Sequence, residues 1–313
     1  MNAGRNEAYN LGIPGAYAPS AVPRVTLTSL RERLLVDTFR WAPTGLYSAL
    51  VGRAARTRLP RGLRAAVYGA FARAVDARIE EAGAELADYP SFGEFFARHL
   101  RPGARPIAAD EVVAPSDGVV ASAGAIRGDT IVQAKGIDFT IGQLLVDDRL
   151  AAAVRDGQWA TIYLSPRDYH RVHTPVAGTL RSYHYVPGMK WPVSLPFVRQ
   201  VDRLFAVNER VVIELATAWG PAAVVMVAAA GVGNVWLTHL GDGGGDTRAW
   251  RAHAEHHHVA ATAALAPGDE LGAFLLGSTV IVLLPPRAPR IELAEGEVLR
   301  VGQALVAPRG KRP

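Results

Sequence analysis

The sequence predicts an α+β fold, with N-terminal amphipathic helices followed by a mainly antiparallel β barrel or sandwich. Three observations predict it. Between residues 40 and 73, apolar residues recur at helical spacing among seven arginines and no acidic residue. From about residue 112 the texture changes to short apolar or alternating runs punctuated by Gly, Asp and Pro, as strands joined by turns require. The chain has 313 residues, 49% hydrophobic and 20% charged, which suits one large core with a smaller appendage.

Composition also narrows the chemistry. With no cysteine, disulfides, thiolate nucleophiles and cysteine-ligated metals are excluded. The net charge of +5 suits an anionic partner, either nucleic acid or a membrane surface. No recognised nucleic-acid-binding motif or aromatic-interleaved basic patch supports the first, so no nucleic-acid partner is expected. Heptads, a dinucleotide-binding glycine motif, a Walker loop and fixed-period repeats are all lacking. So is a run of about 20 apolar residues, so no transmembrane helix is expected.

The elements follow in order. Residues 1–24 are rich in Gly, Ala, Asn and Pro without a continuous apolar stretch; disorder is expected, and a signal peptide is not. Residues 25–88 form a helical, membrane-associating region. Leu46, Tyr47, Leu50, Val51 and Ala54 follow helical spacing after Pro43-Thr44, and Leu63, Val67, Ala70, Phe71 and Ala74 repeat it after Pro60. Arginines 40, 53, 56, 58, 61, 64 and 73 flank or oppose these stripes. That is the composition of helices lying in a lipid interface, although the same spacing serves a helix packed on its own domain. Residues 89–313 form the remaining domain. Ser91 and Glu94 have capping-box spacing for a helix with Phe95, Phe96 and Leu100 on its apolar face, stopped by Pro102-Gly103. Strands are predicted over 118–125, 129–134, 159–164, 179–186, 211–216, 223–230 and 279–284.

Three local features can carry chemistry. Pro115-Ser116-Asp117-Gly118 lies between apolar segments, where an ordinary Asp-Gly turn also accounts for it. Residues 163–175 hold His170, His173, two arginines and two tyrosines. The histidines share a face in a turn or short helix and point apart in a strand. General acid/base work suits them better than metal binding, because no third ligand stands at familiar spacing; no metal site is expected. Leu276-Gly277-Ser278-Thr279 opens the apolar run 280–284, and a serine entering a buried strand must be hydrogen-bonded or used.

In order and spacing, these stretches resemble the phosphatidylserine decarboxylase family. The resemblance rests on Phe92-Gly93-Glu94-Phe95-Phe96-Ala97-Arg98, Arg101-Pro102-Gly103-Ala104-Arg105-Pro106-Ile107, Ala114-Pro115-Ser116-Asp117-Gly118, Gln133-Ala134-Lys135-Gly136, the 163–175 block, Leu204-Phe205-Ala206-Val207-Asn208-Glu209-Arg210, and Leu276-Gly277-Ser278-Thr279. It implies self-cleavage by serinolysis at Gly277-Ser278, giving a β chain of residues 1–277 and an α chain of residues 278–313. Ser278 becomes a covalent pyruvoyl group, which forms a Schiff base with phosphatidylserine and accepts the electrons of the departing carboxylate. By the same resemblance, His173 is the base of self-cleavage, Asp117 orients it, and His170 serves proton delivery to the substrate. A homodimer of αβ heterodimers is implied, peripheral on the cytoplasmic face of a cell membrane. The competing expectations are a Ser/His/Asp hydrolase, against which stands the lack of a Gly-x-Ser-x-Gly elbow around Ser278, and an unprocessed membrane-binding β domain.

Two departures stand out. Ser116 replaces a frequent alanine, and Met189-Lys190-Trp191-Pro192-Val193-Ser194 follows Tyr185-Val186-Pro187-Gly188 where many relatives carry Ser-Val-Asn. His253-Ala254-Glu255-His256-His257-His258 has no counterpart in the resemblance, and a solvated insertion loop is expected there rather than a metal site.

Overall fold

The structure is a computed structural model and describes residues 30–41, 44–134, 137–230, 235–253, 255–275 and 278–306. The expectation for residues 1–24 lies outside these, as do Lys135-Gly136 of one motif and Gly277 of the expected cleavage site.

Three helices open the described chain: α1 (Leu30–Trp41), α2 (Thr44–Arg56) and α3 (Arg61–Val75). Short α4 (Phe92–Phe96) follows, with the Ser91 hydroxyl accepting from the Glu94 backbone N–H at 3.3 Å. This is the predicted cap, but the helix closes at Phe96, well before Pro102-Gly103. Phe95 stacks on Tyr68 of α3 at 4.8 Å, and Tyr68, Ala72 and Phe95 form a small second core.

The body then alternates strands and short helices: β1 (Gly118–Ala125), β2 (Thr130–Ala134), β3 (Ile137–Thr140), α5 (Ile141–Leu145), α6 (Asp148–Val154), β4 (Gln158–Leu164), β5 (Arg171–His173), β6 (Gly178–Val186), α7 (Leu195–Val198), α8 (Leu204–Val207), β7 (Arg210–Thr217), β8 (Gly220–Ala228), β9 (Val235–Leu237), β10 (Gly245–Asp246), α9 (Arg248–His253), β11 (His257–Leu265), β12 (Glu270–Phe274), β13 (Ser278–Leu284) and β14 (Val298–Leu299). An eight-stranded antiparallel sheet runs β11-β6-β7-β8-β13-β4-β1-β14, and a four-stranded sheet runs β10-β9-β12-β5. One apolar core takes side chains from both, including Val172, Leu237 and Phe274 of the smaller sheet and Val225, Ile281 and Leu164 of the larger. The architecture is sandwich-like, and of the two predicted β forms the closed barrel is not the one built.

β13 is central, with all seven residues buried between β8 and β4. Its run of β-branched and leucine side chains suits a strand covered on both faces. The expected insertion loop is corrected here: the histidine segment ends α9 and opens β11, whose His258 pairs with His184 of β6. Alternation of exposed and half-buried residues along β11 is what a half-solvated edge strand requires, and the small alanines obscured it in the sequence.

Candidate active site

The sheet gathers the motif residues at one end. Val119 pairs with Tyr163, and Tyr163 with Thr279, so β1, β4 and β13 lie side by side. Asp117 just precedes β1, Ser278 begins β13, and the 165–170 loop leaves β4 immediately after Leu164, the partner of Ser278. Two strand spacings, about 10 Å, separate β1 from β13 at this end. Asp117 is followed by Gly118 at φ 150°, where an added Cβ would collide with the Tyr163 carbonyl oxygen. Glycine is therefore what lets this motif lie against β4.

Ser278 is fully buried, and its hydroxyl has no hydrogen-bond partner among the described residues. A hydroxyl shut away from water without a partner is costly, and from Val280 onward β13 is apolar.

His170 precedes β5, and its carbonyl accepts from the Phe274 N–H at 2.9 Å, four residues before Ser278. The ring is fully buried against Phe96, with centroids 4.1 Å apart. Nδ1 lies 2.8 Å from the Asp168 carbonyl oxygen, so Nδ1 carries the proton and Nε2 presents a lone pair that is likewise buried and unpartnered. Burial, chiefly, pushes the imidazole down to about 3, so it is neutral at neutral pH.

His173 lies in the same short segment. Its backbone N–H donates to the Pro115 carbonyl at 2.8 Å, pulling residues 115–117 alongside. Its Nδ1 donates to the Gly268 carbonyl at 2.8 Å, and its Nε2, 3.3 Å away, can accept from the Tyr169 hydroxyl. Burial lowers its pKa too, while Glu270 and Asp117 oppose the shift.

Asp117 is otherwise engaged. Arg105 donates through Nε at 2.9 Å and Nη2 at 2.5 Å, and the Val301 N–H donates at 2.9 Å. The expected orienting of His173 by Asp117 is not made through a direct hydrogen bond: a guanidinium outcompetes a neutral imidazole for a carboxylate, and the Gly268 carbonyl holds His173. The Asp117–Val301 bond ties the expected β chain to the expected α chain.

The structure brings Asp117, His170, His173 and Ser278 to one end of the sheet, and it adds Tyr169, Arg98 and Arg105, which the motif reading quoted without assigning them work. Tyr169 stacks on His173 at 5.7 Å. Charge pairing across sequence distance, which no local spacing reveals, is what marks Arg105. Among the described residues no cluster of three or more His, Cys, Asp or Glu could hold a metal. For a serine-derived group the residues fit: an unpartnered hydroxyl and an unpartnered imidazole nitrogen lie buried at the same end of the fold.

The sequence pattern of the phosphatidylserine decarboxylase family matches residues 92–307. A phosphatidylserine decarboxylase proenzyme of Anaeromyxobacter sp. (strain K) is 42% identical over 280 residues, covering 88% of this chain and 99% of the relative. Proenzymes of the same description from Myxococcus xanthus (strain DK1622) and Alcanivorax borkumensis are each 40% identical, covering 88% and 89% of this chain and 99% and 97% of the relatives. The chain belongs to the phosphatidylserine decarboxylase family.

Proposed function

We propose that this member of the family is a self-processing carboxy-lyase that converts phosphatidylserine to phosphatidylethanolamine and carbon dioxide. The observation that carries the reading is the Ser278 hydroxyl, sealed without a partner at the head of the central strand.

In self-processing, Ser278 Oγ attacks the Gly277 carbonyl carbon, and the peptide becomes an ester. His173 takes the hydroxyl proton: its Nδ1 is fixed on Gly268, which leaves Nε2 as the basic nitrogen. Asp117 stabilises the imidazolium through its charge. Loss of the Ser278 Cα proton then expels the Gly277 carboxylate, and hydrolysis of the resulting dehydroalanine releases ammonia and leaves the pyruvoyl group. Residues 278–313 stay with the rest, because β13 is paired on both sides.

Once formed at position 278, a pyruvoyl group would supply an electrophilic carbonyl for the substrate amine and a sink for the electron pair left by carbon dioxide. His170 supplies proton traffic. As a neutral imidazole it takes a proton on Nε2 from the incoming ammonium and returns it to the Cα that has lost its carboxylate. Membrane residence is part of the same reading. Leu34, Leu50, Leu63 and Val67 are 58%, 59%, 55% and 44% exposed on α1–α3, next to exposed Arg53, Arg56 and Arg58, and among the described residues no helix is long and apolar enough to cross a membrane.

Denaturing mass spectrometry of freshly purified protein tests the reading. Two fragments divided at Gly277-Ser278 are expected, the smaller resistant to Edman degradation. An intact chain in fully active protein would sink it.

A further inference from the structure

A cavity of about 250 Å³ opens beside Asp117. Its walls carry five arginines (Arg78, Arg98, Arg105, Arg167 and Arg300) against four carboxylates. Ion pairs engage four of the five. Glu81 faces Arg78, Arg105 and Arg300 at 3.8, 2.7 and 3.7 Å. Arg105 also binds Asp117, and Arg167 lies 3.9 Å from Asp168.

Arg98 has no such partner among the described residues. Its side chain is buried, its Nε makes no hydrogen bond, and the guanidinium lies 5.3 Å from the centre of the Phe95 ring. Burial lowers its pKa, opposed only at a distance by Tyr89, Glu81 and Asp117. A buried guanidinium without a counter-ion is unfavourable, and its planar fork is suited to a phosphate or carboxylate.

We propose that this cavity is the phosphodiester subsite of the active site, and that Arg98 holds the headgroup phosphate. The inference rests on the decarboxylase reading above. Location supports it, since Asp117, Asp168 and Tyr169 line the cavity at the sheet end where Ser278 begins β13. The choice between the substrate's two anions follows from the reaction. The carboxylate loses its charge as carbon dioxide leaves, so an ion pair to it would stabilise the ground state more than the transition state. The phosphodiester keeps its charge throughout, and a cation on it anchors the headgroup without opposing the chemistry. The neutral His170 and the Phe96 ring are the better neighbours for the carboxylate.

Calorimetric titration of the Ser278→Ala chain with glycerophosphoserine tests the subsite without requiring the pyruvoyl group. Binding is expected, competed by inorganic phosphate and not by serine. Arg98→Gln in the same background should weaken it at least tenfold, with Arg98→Lys intermediate. Should Arg98→Gln fail to give a cooperative thermal melt, the half-exposed pair Arg78→Gln/Arg300→Gln decides, with a several-fold loss expected. Full binding by a folded Arg98→Gln or by that double variant, no binding at all, or binding indifferent to phosphate would overturn the proposal. Arg98-dependent binding beside a wild-type chain that releases no carbon dioxide would instead remove the decarboxylase reading and leave an anion subsite standing.

Discussion

Buried polar groups occur in two kinds in this molecule. In Asn208-Glu209-Arg210, every group is answered. The Asn208 amide accepts from the Trp191 N–H and donates to the Trp191 and Ala228 carbonyls. Glu209 is gripped by Arg251 and Lys190. Arg210, though burial pushes it down to about 9, donates to the carbonyls of Gln143, Leu144, Ala206 and Asn208. At the other site, Ser278 Oγ, His170 Nε2 and Arg98 Nε are sealed with no partner. Both sets lie in motifs shared with the family, so resemblance does not tell them apart. Satisfaction separates these two sets: the answered trio locks α8, β7 and the segment after β6 together, whereas unanswered groups are costly for folding. Gln133 Oε1 and Thr161 Oγ1 are also buried without a partner, so it is the gathering of a hydroxyl, an imidazole and a guanidinium at one sheet end that makes sense where chemistry uses them.

The sharpest way to break this contrast is to remove one residue of each kind. Ser278→Ala should abolish self-cleavage and decarboxylation completely while leaving the melting temperature unchanged or raised, because only an unpartnered hydroxyl is lost. Asn208→Ala should do the reverse. It strands one N–H and two carbonyls, with a cost of about 3 kcal/mol, yet protein that folds should still cut itself. Urea melts beside a denaturing gel report both. A destabilised Ser278→Ala would mean that the hydroxyl has a structural partner.

Within the unanswered site, the two histidines should separate. His173→Ala and Asp117→Ala should accumulate as uncut precursor, since both act before any pyruvoyl exists. His170→Ala should cut itself at least partly but release little carbon dioxide from carboxyl-labelled phosphatidylserine. A cleaved, active His173→Ala, or a His170→Ala that decarboxylates at the normal rate, would overturn the division.

How much of this was legible in the sequence depends on the length scale of the cause. Strands β1, β2, β4, β6, β7, β8 and β13 could be read to within three residues at each end, because periodicity and turn chemistry are local. β5, β9, β10 and β14 were missed, since they are two or three residues long and exist only through pairing; the longer β3 and β12 were missed as well. The residues converging on the sheet end were found through motif resemblance, but their partners were not. That Arg105 would take Asp117, that Gly268 would hold His173, and that Arg98 would be left alone are products of contacts up to 95 residues apart, which no spacing rule encodes. The histidine segment was misread because alternating alanines give β11 little hydrophobic contrast.

Acidification sharpens the comparison from the energetic side. His170 is held down to about 3 by burial, and His184 to about 4 by burial and the neighbouring His256 and His258. In the unfolded chain both would titrate near 6.5, so below that pH the unfolded state binds protons that the folded state refuses. Stability should therefore fall as pH drops from about 6.5 toward 4, by at most about 1.4 kcal/mol per pH unit for each histidine. The partly exposed His184 contributes less, because solvent screens it. His170→Gln should flatten the dependence of the urea midpoint between pH 7 and pH 5. A slope identical to wild type would show that His170 is not the sealed, neutral group described above.

The smallest effect is expected at the surface, where an unanswered group is apolar rather than polar. Exposed Leu50, Leu63 and Val67 on α2 and α3 are apolar surface left in water, and a bilayer interface would cover them. Arg53, Arg56 and Arg58 stand exposed nearby, and Arg61 pairs only at the surface, with Asp88. Near an anionic leaflet each such charge contributes at most about 1 kcal/mol, and salt screens it over a Debye length of about 8 Å at physiological ionic strength. Replacing all four arginines with glutamine should reduce sedimentation with phosphatidylserine-containing liposomes several-fold at low salt and little at high salt, while self-cleavage proceeds normally, because the sheet end does not depend on these side chains. Replacing Leu50 and Leu63 with serine should weaken binding at both salt concentrations, since apolar burial is not screened. If neither set of changes alters sedimentation, these helices are packing elements of the domain itself, and their exposed leucines belong with the scattered apolar residues that any protein surface carries.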